Sequence, residues 1–273
     1  MESAGGLLPS PDLIDRTLRI ENSYTVSRMR VLESIPGNPV GIQFRPIGGS
    51  AVALMARHFP NPHFNKVVGL RAGQEGEIEP LIGWYRENRV KARFEILPRA
   101  DELDLGRELA RLGFYPSEFH TSLLRDAIPG ALAKSSIDVE RVTGAAAMEE
   151  FLDAYIAGLQ IPTDHDGFRR NVRPWLVQQG WSLFLARVEG KPAATAILYV
   201  EDGAGYLADA SCDPAYRRRG LHAALLERRI REGSATGVGF ICGGAAFLSA
   251  SHRNMERAGM RIQFIRSIWT ERA

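Results

Sequence analysis

The chain has 273 residues, of which 45% are hydrophobic, 24% charged and 8% aromatic, a composition that excludes a disordered or collagen-like protein and supplies ample apolar surface for a core. Thirty-four basic residues against 32 acidic ones leave a net charge of +2, so the total points to neither a nucleic-acid surface nor an anionic-membrane binder and only local clusters can matter. The length allows one large domain or two of the ordinary size of about 100–150 residues.

At the N-terminus, Gly5-Gly6-Leu7-Leu8 is interrupted at once by Pro9 and carries no basic flank, so no signal peptide is expected. Nor does any stretch approach the roughly 18 apolar residues of a membrane span. Ser10-Pro11-Asp12 reads as helix cap, first-turn proline and first-turn acid, opening a helix with Leu13, Ile14 and Leu18 on its inner face. That helix runs on, or restarts, near residues 26–32, and Pro36-Gly37-Asn38-Pro39 stops it. Residues 41–45 read as a strand, 51–57 as a helix and 64–70 as a strand. A helix at 77–89 carries Ile78, Leu81, Ile82 and Tyr85 at helical spacing. A strand at 92–97, a helix at 102–112 ended by Gly113 and a strand at 119–124 complete this half.

Residues 127–136, with Pro129, Gly130 and small side chains, have the composition of a linker. Beyond it a strand at 137–142 precedes helices at 145–157 and 167–179, joined by a loop over 159–166. Strands follow at 182–188, 193–200 and 206–212, then a helix at 220–232, a strand at 238–242, a helix at 249–258 ended by Gly259, and a closing strand at 261–270. A faint internal repeat supports two related domains: Glu108-Leu109-Ala110-Arg111-Leu112-Gly113-Phe114 and Asn254-Met255-Glu256-Arg257-Ala258-Gly259-Met260 each end a helix at glycine and lead into a strand. The expected division is 1–130 and 131–273.

Chemistry is concentrated in Ala210-Ser211-Cys212-Asp213-Pro214-Ala215-Tyr216-Arg217-Arg218-Arg219-Gly220-Leu221-His222. A strand ends, a basic turn follows and an amphipathic helix begins, so unpaired backbone N–H groups converge on one point, an anion site. Gly220 lets a phosphate approach the main chain without a side chain in the way. Cys212 and Cys242 are too few for a disulfide framework and lack metal-ligand spacing, so a reducing cytoplasm is the expected setting, with no metal. No histidine is placed beside Cys212 by sequence, so it reads as a packing residue rather than an acyl-accepting nucleophile.

This stretch resembles the GNAT acetyltransferase superfamily, whose signature Arg/Gln-x-x-Gly-x-Gly/Ala lies between its fourth strand and third helix. Arg217 and Gly220 fit, whereas His222 replaces the final small residue. Ser249-Ala250-Ser251-His252-Arg253-Asn254, followed by Gly259, looks like the second motif, where a serine and an asparagine contact the pantetheine side of coenzyme A. The resemblance covers residues 137–273. It implies an α/β (α+β) fold of two GNAT-like domains in tandem, each a mixed, mostly antiparallel sheet flanked by helices. The N-terminal copy is degenerate: Arg71-Ala72-Gly73-Gln74-Glu75-Gly76-Glu77 lacks the signature and sets carboxylates where a pyrophosphate needs donors. That copy should not bind coenzyme A, and should brace its neighbour and form one wall of the acceptor pocket.

The implied activity is transfer of an acetyl group from acetyl-CoA to an amine by direct attack in a ternary complex. Ala210, Ser211, Cys212, Arg217, Arg218, Arg219, Gly220, Leu221, His222, Ser251 and Asn254 are the expected coenzyme contacts, and amides near Ala210 to Cys212 would polarise the carbonyl. Asp209 and Tyr206 are candidate bases. Asp164, His165 and Asp166 could hold a cationic amine, or Asp166, before Gly167-Phe168, could simply cap a helix start. Many relatives place a tyrosine acid where this chain has Met255. Two other readings stand beside the enzyme: a non-catalytic coenzyme A-binding or regulatory module, and nucleic-acid binding through Arg217 to Arg219, Arg228, Arg229 and Arg231. The second is disfavoured by the near-neutral chain and the lack of neighbouring aromatics. The acceptor is expected to be a small-molecule or peptide amine, with no nucleic acid or membrane partner, and the protein a monomer or homodimer.

Overall fold

The structure, a computed structural model, describes residues 8–59, 61–97, 99–128, 135–162 and 164–272. Most of the expected linker, 129–134, therefore lies outside the described residues. In chain order the elements are α1 (Pro11–Glu33), β1 (Ile42–Gly48), β2 (Ala51–Ala56), β3 (Lys66–Val68), α2 (Ile78–Glu87), β4 (Arg93–Ile96), α3 (Leu103–Arg111), β5 (Phe114–Asp126), β6 (Val139–Arg141), α4 (Gly144–Leu159), α5 (His165–Val172), β7 (Trp181–Val188), β8 (Lys191–Glu201), β9 (Ala204–Cys212), α6 (Leu221–Ala235), β10 (Phe240–Ala246), α7 (Ala250–Arg257) and β11 (Arg261–Glu271). Among the described residues no helix is long and apolar enough to cross a membrane.

Two expectations change. Residues 51–57 are not a helix but strand β2, paired antiparallel with both β1 and β3. Its alanines, Leu54 and Met55 favour helix locally, yet Ala53 to Ala56 are wholly buried, and a strand covered on both faces loses the alternation that would reveal it. The helix expected over 167–179 ends at Val172, and a 3-10 turn at Arg173–Val177 follows. Pro174 has no N–H to extend the α-helical ladder. Helix α1 is continuous, with Leu13 N–H donating to Ser10 Oγ at 3.2 Å as its cap.

The chain divides into two compact units. One, here the C-terminal unit, comprises residues up to 13 and 123–263; the other, the N-terminal unit, comprises 14–122 and 264 onward. Strands β5 and β11 each contribute to both.

In the N-terminal unit the strands run in the order β1-β2-β3-β4-β11, antiparallel except for β3 against β4, and Ser267 to Thr270 of β11 pair with Arg93 to Ile96. Ile78, Leu81, Ile82 and Tyr85 of α2 and Leu105 and Leu109 of α3 pack on one sheet face. Met29 and Leu32 of α1 cover the other.

In the C-terminal unit the order is β10-β9-β8-β7-β6, antiparallel except for β9 against β10. Leu221, Leu225, Leu226 and Ile230 of α6 and Met255 of α7 bury one face with Leu198 and Leu207. The aromatic run Phe151, Tyr155, Trp175, Trp181 and Tyr199 packs ring against ring. Each unit thus holds one parallel strand pair bridged by a helix, β3-α2-β4 and β9-α6-β10, with the next helix ended by Gly113 or Gly259 at φ +87° and +80°.

Candidate active site

Strands β9 and β10 are partners from Ala204 and Phe240 to Leu207 and Gly243 and no farther, although β9 continues to Cys212 and β10 to Ala246. The two strands therefore part. On the other edge of β9, Ile197 of β8 faces Ala208 and Thr195 faces Ser211, so Asp209 and Ala210 together stand opposite Ala196, a β-bulge. Asp209 has φ +39°, a left-handed conformation uncommon outside glycine and frequent at functional sites.

Ser211 presents its main chain rather than its side chain. Its Oγ lies 2.9 Å from Thr195 Oγ1, and a Cβ on Gly158 of α4 would fall 2.6 Å from it. Glycine at 158 lets the end of α4 close on the strand. Cys212 is half-buried, its thiol donates to the Asp213 carbonyl at 3.5 Å, and burial pushes its pKa up. It is held as a thiol, which a nucleophile would not be.

Beyond β9, Asp213 caps a 3-10 turn by accepting from the Ala215 amide at 2.9 Å. The chain then passes through Arg217 (φ −60°), Arg218 (φ +63°) and Gly220 (φ +81°) into α6. No side chain caps this helix, and its first turn holds no acid. Ala224 is the first amide to find an acceptor, Gly220 O at 3.0 Å. The amides of Arg218 through Ala223 have no acceptor among the described residues. Arg217 to Arg219 are exposed and without an ion partner there; the Arg219 guanidinium lies 5.6 Å from the Tyr216 ring centre. A depression of about 340 Å³ lined by Ile137, Asp138, Val188 and Arg219 adjoins the turn.

His222 and Asn254 are brought together: Asn254 Nδ2 donates to His222 Nδ1 at 3.0 Å, and Arg257 donates to Asn254 Oδ1. Burial, helped by the charge of Arg229, lowers the His222 pKa to about 4. The ring is neutral and accepts at Nδ1, leaving its proton on Nε2. Ser249 caps α7 by accepting from the His252 amide. Ser251 lies half-buried one turn from Asn254 on the same helix.

The proposed acid and base positions are placed as follows. Tyr206 lies in the paired part of β9, opposite Tyr199 and Cys242. Asp209 lies at the bulge. Met255 is buried in the apolar core and offers no proton donor. Asp164, not Asp166, caps α5, accepting from the Gly167 amide at 3.0 Å; His165 Nε2 meets Ile161 O at 2.8 Å. Asp166 is exposed in the first turn. The arginines of α6 do not form a basic surface stripe: Arg228 pairs with Glu232, Arg231 with Glu227, and Arg229 is buried.

Sequence reasoning missed the bulge, Gly158 and the burial of Arg229. Only the last left a signal, since Arg229 falls four residues after Leu225 and one before Ile230, within the apolar stripe.

An open helix start is thus joined to a splayed parallel strand pair in an α/β unit. Residues 123–247 match the family model of the Acetyltransferase (GNAT) domain. The fold of the chain is similar to that of a GCN5-related N-acetyltransferase from Kribbella flavida, at 15% identity and TM-score 0.64, covering 93% of this chain and 96% of the other. A GCN5-related N-acetyltransferase from Sphaerobacter thermophilus is similar at 15% identity and TM-score 0.61, covering 97% and 94%. A tandem GNAT protein from the clavulanic acid biosynthesis pathway is similar at 13% identity and TM-score 0.60, covering 96% and 97%. No curated protein matches the chain significantly.

Proposed function

We propose that the C-terminal unit transfers an acetyl group from acetyl-CoA to an amine acceptor, and that the N-terminal unit is a degenerate copy that binds no coenzyme. The observation that carries this reading is the run of unaccepted amides from Arg218 to Ala223, continuous with an uncapped helix and accompanied by three arginines, Arg217 to Arg219, without ion partners among the described residues. Such a run is a nest for a pyrophosphate. Arg217, Arg218, Arg219, Gly220, Leu221 and His222 would hold that group, the side chains by charge and the rest through main-chain N–H. Ala210, Ser211 and Cys212, on the part of β9 that has left β10, would hold the pantetheine arm through their main chain and polarise the thioester carbonyl. Ser251 and Asn254 would border the same arm.

Acetyl-CoA supplies the activated acetyl group; the protein's part is to align it and to take the amine proton. Asp209 at the bulge, or Tyr206 three residues before it, is positioned by sequence to accept that proton. With Met255 buried, the departing thiolate takes its proton from another group or from water. The start of α5 follows closely on the end of α4 that closes on Ser211. It would border the acceptor, with Asp166 the carboxylate whose side chain is not engaged in the cap.

The test is to incubate the protein with acetyl-CoA and a panel of amines while following free thiol. Amine-dependent thiol release is expected. Tight coenzyme binding with no such release against any amine would leave a coenzyme-binding module without catalysis.

A further inference from the structure

Arg229 is 1% exposed, in the middle of the apolar face of α6. Its Nε donates to Leu225 O at 3.0 Å, and its Nη1 to Ile197 O at 2.9 Å and to Ala208 O at 3.1 Å. Ile197 and Ala208 face each other across β8 and β9, and they are the last such pair before Asp209 and Ala210 bulge opposite Ala196. The guanidinium therefore grips the ladder at the point where it breaks. Peptide bonds here are trans, so a carbonyl and the N–H that follows it point in opposite directions. With the Ala208 carbonyl drawn toward α6, the Asp209 N–H is sent away from that helix, and the left-handed Asp209 redirects the chain into Ala210 to Cys212. An apolar side chain of similar length would fill the same space without burying a charge. A guanidinium reaches all three carbonyls from one planar fork, Nε anchoring it to Leu225 O on α6 while Nη1 meets both strand carbonyls, and its charge strengthens each bond enough to hold a strained residue beside it.

We propose that Arg229 is a positioning residue for acyl binding, holding the β9 bulge so that the main chain of residues 209–212 faces the parting of β9 and β10. The role rests on the acetyl-CoA reading above, and the two can fail separately. It makes Arg229 necessary for the pantetheine and thioester end of the ligand and indifferent to the pyrophosphate end.

Calorimetric binding of acetyl-CoA is compared with binding of 3′-phosphoadenosine 5′-diphosphate, which carries the pyrophosphate but lacks the pantetheine and the thioester, in the wild type, Arg229→Met and Arg229→Lys. In Arg229→Met, affinity for the nucleotide is expected to stay within about twofold while that for acetyl-CoA falls about tenfold or more. Lysine, which keeps the charge but not the fork, should recover part of the loss, and amide hydrogen exchange at 208–212 should quicken in the same order. An unchanged affinity ratio in a folded Arg229→Met protein would overturn the positioning role and leave the coenzyme reading intact. A wild type that binds neither ligand removes the coenzyme reading and this role with it. If neither variant folds, Arg229 serves stability alone and the positioning role falls.

Discussion

The two units carry the same strand-helix-strand arrangement, and they treat the start of its helix in opposite ways. Before α2, Arg71 N–H donates to Gln74 Oε1 at 2.9 Å and Gly73 N–H to Glu75 Oε1 at 3.0 Å. A 3-10 turn at Glu75–Glu77 then leads into the helix, with Glu75, Glu77 and Glu79 at its positive end. The amides of Arg71, Gly73, Gln74 and Glu77 thus find acceptors within the loop, and its carboxylates answer the dipole. Before α6 the equivalent donors find no acceptor among the described residues, and the charges beside them are cations. A loop that completes its own hydrogen bonds is stable and inert, whereas one that leaves them open is suited to a ligand that supplies the acceptors.

The N-terminal unit does not lack a cavity. About 410 Å³ lies between α1 and strands β2 to β4, walled by Leu18, Val26, Val52 and Val68 and floored by Glu95 and Arg266. That floor is again closed by the chain itself: Lys66 and Arg266 donate to Glu95 at 2.8 and 3.0 Å, and Arg266 also meets Glu21, which accepts from Ser122 Oγ. Burial alone would raise the Glu95 pKa, yet the two cations hold it well below the usual carboxylate range.

The sharpest way to break the contrast is a matched pair of glycine substitutions. Gly73 and Gly220 have nearly the same backbone, φ +87° and +81°. A Cβ would meet nothing within 4 Å at Gly73 and only Ile137 Cδ1 at 3.5 Å at Gly220. Valine therefore imposes a similar strain at both, on the order of 1–2 kcal/mol. Gly220→Val is expected to weaken acetyl-CoA binding by about 100-fold or more, and Gly73→Val by less than about twofold. Equal losses at the two positions would mean that strain, not the cradle, was being measured. The wild type should also titrate with one coenzyme per chain; two would show that the N-terminal loop is not closed.

A matched pair of arginines gives a smaller effect. Arg217 is exposed and has no ion partner among the described residues, whereas Arg71 donates to Asp15 at 2.6 Å and to Glu102 at 2.9 Å, whose side chain is only 1% exposed. Arg217→Ala should weaken coenzyme binding about tenfold and leave the melting temperature unchanged. Arg71→Ala should leave binding within about twofold and cost about 1–3 kcal/mol of stability, because a buried carboxylate loses its main donor. Reversal of these two patterns in calorimetry and thermal melts would overturn the assignment of roles.

Much of this contrast was legible before any coordinates. Arg217, Gly220 and the carboxylates of 75–77 differ in kind, and a helix start is a local feature that spacing and residue type reveal. Strand β2 was not legible, because its buried faces are set by neighbours distant in the chain. The bulge at Asp209 was hidden for the same reason: it exists only as a mismatch between β8 and β9 and as three carbonyls gathered by Arg229. Asp164 as the α5 cap was misassigned by two residues to Asp166, since both are aspartates one turn from a candidate amide. Exchange of the β11 end into the N-terminal unit leaves no mark in the residues of 264–273 themselves.

The smallest effect is the pH dependence that His222 adds in the C-terminal cradle. His222 accepts a hydrogen bond from Asn254 at Nδ1, and protonation there would set donor against donor. Its pKa, lowered to about 4 mainly by burial, compares with about 6.5 in the unfolded chain. Between those values the unfolded state binds more protons than the folded one, so this histidine makes stability rise with pH from about 4 to 6.5 and adds no slope above. Glu95 behaves differently: with its folded pKa depressed, its contribution is complete above the unfolded value of about 4.5 and is lost progressively as pH falls from there to the lower folded one. Loss across pH 6.5 to 4 should therefore shrink in His222→Gln, and the remainder belongs to His63 and His120, which burial also holds below the usual histidine range. NMR titration of the imidazole checks the premise directly, and a midpoint near 6.5 would show that His222 is open to water and not locked to Asn254.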